Sequence, residues 1–104
     1  MRTVRILEAA AEEAAEAAAW YERQHPGLGA DFLRTINAAL DLLEDGVVPL
    51  APVPGTAAQR GAKRLILKRF PYDVVLRETA DEILIVAFSR HSRRPGYWSD
   101  RPAT

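Results

Sequence analysis

Three observations predict an α+β fold in which two helices cover one face of a small antiparallel sheet and leave the other face open. Two stretches, Glu8 to Gln24 and Gly29 to Asp45, repeat apolar residues at helical spacing. The breaker His25-Pro26-Gly27 stands between them, so the two helices form an antiparallel hairpin. Downstream, Lys63 to Arg90 holds three strand-like runs separated by two turn signals, the pattern of a meander. The resulting order is strand, two helices, three strands. With 104 residues the chain is expected to be one domain, 1–104, since two would each be too small to bury a core.

The first strand is Thr3 to Leu7, where Val4 and Leu7 flank Arg5. In the first helix alanine supplies the highest helix propensity, and early glutamates suit the positive end of the dipole. Its expected inner stripe is Ala11, Ala14 or Ala15, Ala18 and Tyr21; Trp20 and Tyr21 read as packing residues. The second helix turns Phe32, Ile36, Leu40 (with Ala39) and Leu43 inward and keeps Asp31, Arg34, Thr35, Asn37, Asp41 and Glu44 wet. Gly46 closes it. Val47 to Gly61 is a loop, because Pro49, Pro52 and Pro54 oppose regular ladders. Its length marks it for a partner contact or for mobility.

Lys63 to Phe70 is the second strand, with Leu65 and Leu67 on one face and Arg64, Ile66 and Lys68 on the other. Phe70-Pro71-Tyr72 is a turn, Asp73 to Thr79 the third strand, and Ala80-Asp81 a tight turn. The fourth strand, Glu82 to Arg90, is almost continuously apolar and is expected to be buried on both faces.

Composition narrows the functional classes. The chain is 48% hydrophobic and 27% charged, ordinary for a globular protein. It has no cysteine and two distant histidines, so thiol chemistry and a metal framework are not expected, nor is a cofactor. No uncharged apolar run approaches membrane-spanning length, and Glu8, Glu12, Glu13 and Glu16 interrupt any signal-peptide core; a cytoplasmic location is expected. The formal net charge of zero hides an asymmetry. Residues 1–59 hold 4 basic and 9 acidic residues, a balance of −5; residues 60–104 hold 10 and 5, a balance of +5. The basic half can face an anionic partner, or an acidic helical layer can simply lie on a basic sheet.

No phosphate-binding glycine loop is present, and Ser89 near His91 is not a nucleophile elbow. What remains is cationic. Lys63, Arg64, Lys68 and Arg69 flank the second strand, Arg77 is on the third, and Arg90, His91, Arg93 and Arg94 end or follow the fourth. Guanidinium forks suit phosphate, and Tyr97 and Trp98 either offer stacking faces or pin the C-terminal segment. In metal-free RNA cleavage, His91 and Tyr97 would be the titratable candidates.

Three motifs in order resemble the RelE/ParE superfamily of bacterial type II toxin–antitoxin toxins, in particular its ParE-like branch. They are W-Y-E-R-Q-H-P-G-L-G at Trp20 to Gly29, R-F-P-Y-D-V at Arg69 to Val74, and H-S-R-R-P-G-Y-W at His91 to Trp98. The resemblance implies a cognate antitoxin from the same operon, its tail wrapped over the sheet; Leu65, Val75 and Phe88 are the expected liners. Ribosome-dependent mRNA endonucleases of this superfamily use strand lysines, an arginine after the turn tyrosine, an arginine or histidine ending the fourth strand, and a late tyrosine. Those positions fall near Arg64 and Ile66, on Asp73, on His91 and on Tyr97. Asp73 would oppose a phosphate and Ile66 carries no charge, which favours the ParE-like behaviour, inhibition of DNA gyrase by binding. The alternatives are an mRNA endonuclease using Arg64, Arg77, His91 and Tyr97, and a degenerate toxin that only binds antitoxin. In each case these basic residues, from Lys63 to Arg94, with Tyr97 and Trp98, are the candidates for target contact.

Overall fold

A computed structural model describes residues 2–46, 49–53 and 61–101. Its elements are β1 (Thr3–Ile6), α1 (Glu8–Gln24), α2 (Leu28–Asp45), β2 (Ala51–Pro52), β3 (Lys63–Ile66), β4 (Tyr72–Glu78) and β5 (Glu82–Arg90). The strands form one sheet in the order β1-β5-β4-β3-β2. β1 lies parallel to β5 and every other pair is antiparallel. The parallel pair arises because both helices carry the chain across the sheet, so that it re-enters at the far edge. No helix among the described residues is long and apolar enough to cross a membrane.

The inner stripe of α1 is Ala10, Ala14, Ala17, Ala18 and Tyr21, so of the two alternatives Ala14 is the inner one, and Ala11, expected inside, lies outside. Counting back from Tyr21 by helical steps reaches Ala10 rather than Ala11, and the bulky ring sets the phase. The stripe of α2 is Phe32, Ile36, Ala39 and Leu43, with Leu40 only partly buried.

The turn between the helices is built by Glu22. Its carboxylate accepts from the Gly27 N–H at 2.9 Å and the Gly29 N–H at 3.1 Å. This satisfies donors that the first turn of a helix leaves unpaired and puts negative charge at its positive end. Gly27 has φ 89°, a left-handed conformation that costs glycine nothing, and α2 therefore starts at Leu28, one residue before the expected Gly29. Gly29 is buried where the helices cross: a Cβ there would lie 2.4 Å from the Ala18 carbonyl oxygen. Gly29→Ala should cost about 2 kcal/mol by forcing the hairpin apart. Chemical denaturation checks this, and an unchanged midpoint would contradict the close approach.

The strands depart from expectation at their ends. β1 stops at Ile6, because Leu7 turns into the core at the start of α1. β3 ends at Ile66 rather than Phe70, and β4 begins at Tyr72 and ends at Glu78. The intervening Leu67–Pro71 forms the turn: Leu67 N–H donates to the Tyr72 carbonyl and Tyr72 N–H to the Phe70 carbonyl. Within the expected loop, Ala51–Pro52 pairs with Arg64 and Lys63 as a two-residue edge strand, a position where proline is tolerated. Residues 47, 48 and 54–60 of that loop lie outside the described residues.

The core joins both layers. Phe32 is fully buried, and its ring centroid lies 5.2 Å from Tyr21, 5.1 Å from Phe70 and 5.1 Å from Tyr72. β5 is buried on both faces from Ile83 to Phe88, as its apolar run predicts. The second face of the sheet is not open at its centre. Val75 and Ala87 are buried there, and Trp98, only 3% exposed, lines the same small cavity as Val75 and Val53. The C-terminal segment supplies the cover that two helices cannot. Leu65, Val75 and Phe88 are all buried in the core, with Leu65 and Phe88 also reaching the walls of surface grooves.

Candidate functional site

The C-terminal segment is fastened by one glutamate. Glu13, on the sheet-facing side of α1, accepts two charged hydrogen bonds from Arg101 at 2.8 and 3.0 Å, one from the Phe88 N–H at 3.1 Å and one from the Tyr97 hydroxyl. Arg101 also donates to the Val86 carbonyl at 3.0 Å. That carbonyl lies at a register shift, where Val75 pairs with Ala87 but Leu76 pairs with Ile85. A bulge leaves backbone groups without ladder partners, and Arg101 meets one of them.

A second polar knot lies where β4 meets the end of β5. Asp73 is buried, and its carboxylate accepts from His91 Nε2 at 2.8 Å and from Arg64 Nη1 at 3.1 Å. The three line a cavity of about 110 Å³ together with Ser89 and Trp98. The Arg64 Nε is buried with no hydrogen-bond partner.

The cations predicted for target contact therefore divide. Lys63 is paired with Glu78, Arg64 and His91 with Asp73, and Arg69 with Asp31. Among the described residues, Lys68, Arg77, Arg90, Arg93 and Arg94 make no ion pair. Two of these rest on aromatic rings: Arg93 lies 3.9 Å from the Tyr97 ring centroid and Arg90 5.3 Å from that of Trp20. Trp98 is buried, which is the pinning alternative; Trp20, expected to be packed, is 40% exposed. Helical spacing already contained the position of Trp20, since Tyr21 continues the stripe and its neighbour is rotated about 100° away from it.

Two grooves are large. One, of about 570 Å³, runs beside α1 between Trp20, Arg90, Arg93 and Tyr97. The other, of about 630 Å³, is apolar and lies between α2 and β3, with Leu42 and Ile66 on its walls. These two side chains are 45% and 46% exposed. Sequence periodicity marks Ile66 as outward but gives no sign that α2 ends beside it.

A solved chain described as "Chromosomal ParDE TA system from P. aeruginosa" matches with a TM-score of 0.72 and 21% identity. The match covers 86% of the present chain and 96% of that one. The fold is ParE-like. No family model and no curated protein matches the sequence.

Within this ParE-like fold the four residues of a nuclease set do not converge. Arg64 and His91 are both held by Asp73, and Tyr97 points to Glu13. Arg77 lies four residues along β4 from Asp73, about 13 Å away by strand rise. Burial, and then the hydrogen bond to Glu13, push the Tyr97 hydroxyl up to about 12. Its folded value lies above the unfolded one, so the associated stability is complete below pH 10 and is lost as pH rises through about 12. Absorbance titration of tyrosinate should show that Tyr97→Phe removes one ionisation near pH 12. A missing ionisation near 10 would contradict the Glu13 contact.

Proposed function

We propose that this chain is the toxin of a bacterial type II toxin–antitoxin system, that it inhibits DNA gyrase by binding, and that a cognate antitoxin neutralises it. The ParE-like fold supports the system. The observation that carries the binding mode is the buried Asp73. A carboxylate stands where an endonuclease of this fold would clamp phosphate, and it engages Arg64 and His91, two of the side chains a nuclease would use. Catalysis by His91 and Tyr97 is disfavoured because Asp73 holds the first and Glu13 the second.

Growth of bacteria expressing the protein, with and without the product of the neighbouring gene, tests this reading. Growth should stop without the neighbour and resume with it, and His91→Ala with Tyr97→Phe should leave the arrest intact. Loss of arrest in that folded double variant would favour the mRNA endonuclease. Absence of arrest in the wild type would favour a toxin that has kept only its antitoxin contact.

The surface best suited to the antitoxin in this reading is the apolar groove between α2 and β3. Of the expected liners only Leu65 lies on its wall, and the groove would take an apolar segment of the antitoxin tail. Leu42→Asp with Ile66→Asp should weaken antitoxin binding by at least about 30-fold, the effect of placing charge in an interface centre. Toxicity should persist. Calorimetry measures the binding, and affinity within threefold of wild type would remove this groove from the interface.

A further inference from the structure

The groove beside α1 has features that the toxin reading does not use. Trp20 presents a half-open indole inside a concavity of about 570 Å³, a size suited to a small ligand. Arg90 and Arg93 line the same concavity, each against a ring and neither in an ion pair among the described residues. A guanidinium lying on a ring keeps its N–H donors directed outward in its own plane, ready for an anion. Arg23 adds a third cation to the walls.

The carboxylates do not cancel these charges. Glu13 is matched by Arg101 and its oxygens are taken by Phe88, Tyr97 and Arg101. That leaves Glu16 as the wall carboxylate with no ion pair, against three arginines. The groove meets the Asp73 cavity only at the end of β5, where Arg90 and Arg93 line both. Tyr72 and Phe88 alternate along their strands with Asp73 and Ser89, so the remaining walls of the two sites lie on opposite faces of the sheet.

We propose that this groove binds a nucleotide unit, its base stacked on the Trp20–Arg90 platform and its phosphate held by the Arg90 and Arg93 guanidinium groups. A carboxylate-bearing peptide would use the arginines but leave the flat indole without a matching partner. Base and phosphate together use both. The unit can come from a free nucleotide or from a single strand. The inference rests on the groove alone, so it stands or falls independently of toxicity and antitoxin binding.

Calorimetric titration of the full chain with adenosine monophosphate, a five-nucleotide single strand and inorganic phosphate tests it. The nucleotide or the strand should bind. Trp20→Ala should weaken that binding about tenfold, in line with the loss of one stacked base. Trp20→Tyr should restore most of it, and Arg90→Ala with Arg93→Ala should weaken it at least as much. All replaced side chains are exposed, and circular dichroism verifies folding. A much tighter strand than mononucleotide assigns the source as single-stranded nucleic acid; equal affinities assign a free nucleotide. Binding of neither, equal binding by Trp20→Ala, or phosphate binding as tight as the nucleotide would overturn the proposal.

Discussion

Phe32→Ala is expected to lower folding stability by about 4 kcal/mol, the upper range for deleting a buried aromatic ring. Phe32 is fully buried, and its ring touches Tyr21 from α1 together with Phe70 and Tyr72 from the turn and strand below. Removing it opens a cavity at the point where both helices meet the sheet. Phe32→Leu keeps most of the volume and should cost about 1–2 kcal/mol. A small domain has only about 5–15 kcal/mol in total, so the alanine variant should be close to unfolding at 37 °C. Urea denaturation gives the number. A loss below 2 kcal/mol would mean that the aromatic cluster is not the centre of the core.

The second large effect is at Glu13. Glu13→Leu leaves Arg101, the Tyr97 hydroxyl and the Phe88 N–H without their acceptor, all of them partly buried. Removing one partner from a buried pair costs about 3–5 kcal/mol, and residual water access here favours the lower end. The expected loss is about 3 kcal/mol, with a melting temperature lower by roughly 15 °C. Glu13→Gln keeps one carbonyl acceptor where the Phe88 N–H and the Tyr97 hydroxyl use two different oxygens, and it loses the charge opposite Arg101, so its loss should fall between none and that of Glu13→Leu. Hydrogen exchange separates this account from general destabilisation: amides of residues 97–101 should lose protection first. Uniform loss along the chain would show that Glu13 does not fasten the tail specifically.

Much of this fold is legible in local sequence. The helices follow from alanine propensity, a 3.6-residue apolar period and a Pro-Gly breaker; the meander follows from alternation and short turns. The apolar run Ile83 to Phe88 correctly implies burial on both faces. What it does not tell is which element supplies the second cover. That comes from Trp98 and Arg101, distant in sequence, whose aromatic and cationic character reads equally well as a binding surface. The same ambiguity left Trp98 open between stacking and pinning, and Trp20 lies further outward than its packing reading implies. Charge is legible only as a sum. The positive half of the chain is real, but carboxylates at Asp31, Asp73 and Glu78 pair with Lys63, Arg64 and Arg69, and Asp73 also holds His91. No local pattern links residues 31 and 69. Asp73 is the exception: its position after the turn tyrosine marks it as a carboxylate out of place for a nuclease, and the structure adds what it holds.

The most direct measurement of the central claim is DNA supercoiling by purified gyrase in the presence of the antitoxin-free protein. The binding account predicts inhibition with cleaved DNA trapped on the enzyme, reversed by added antitoxin and retained by the folded His91→Ala, Tyr97→Phe variant. Unimpaired supercoiling, together with cleavage of ribosome-bound mRNA that the same double substitution abolishes, would contradict it.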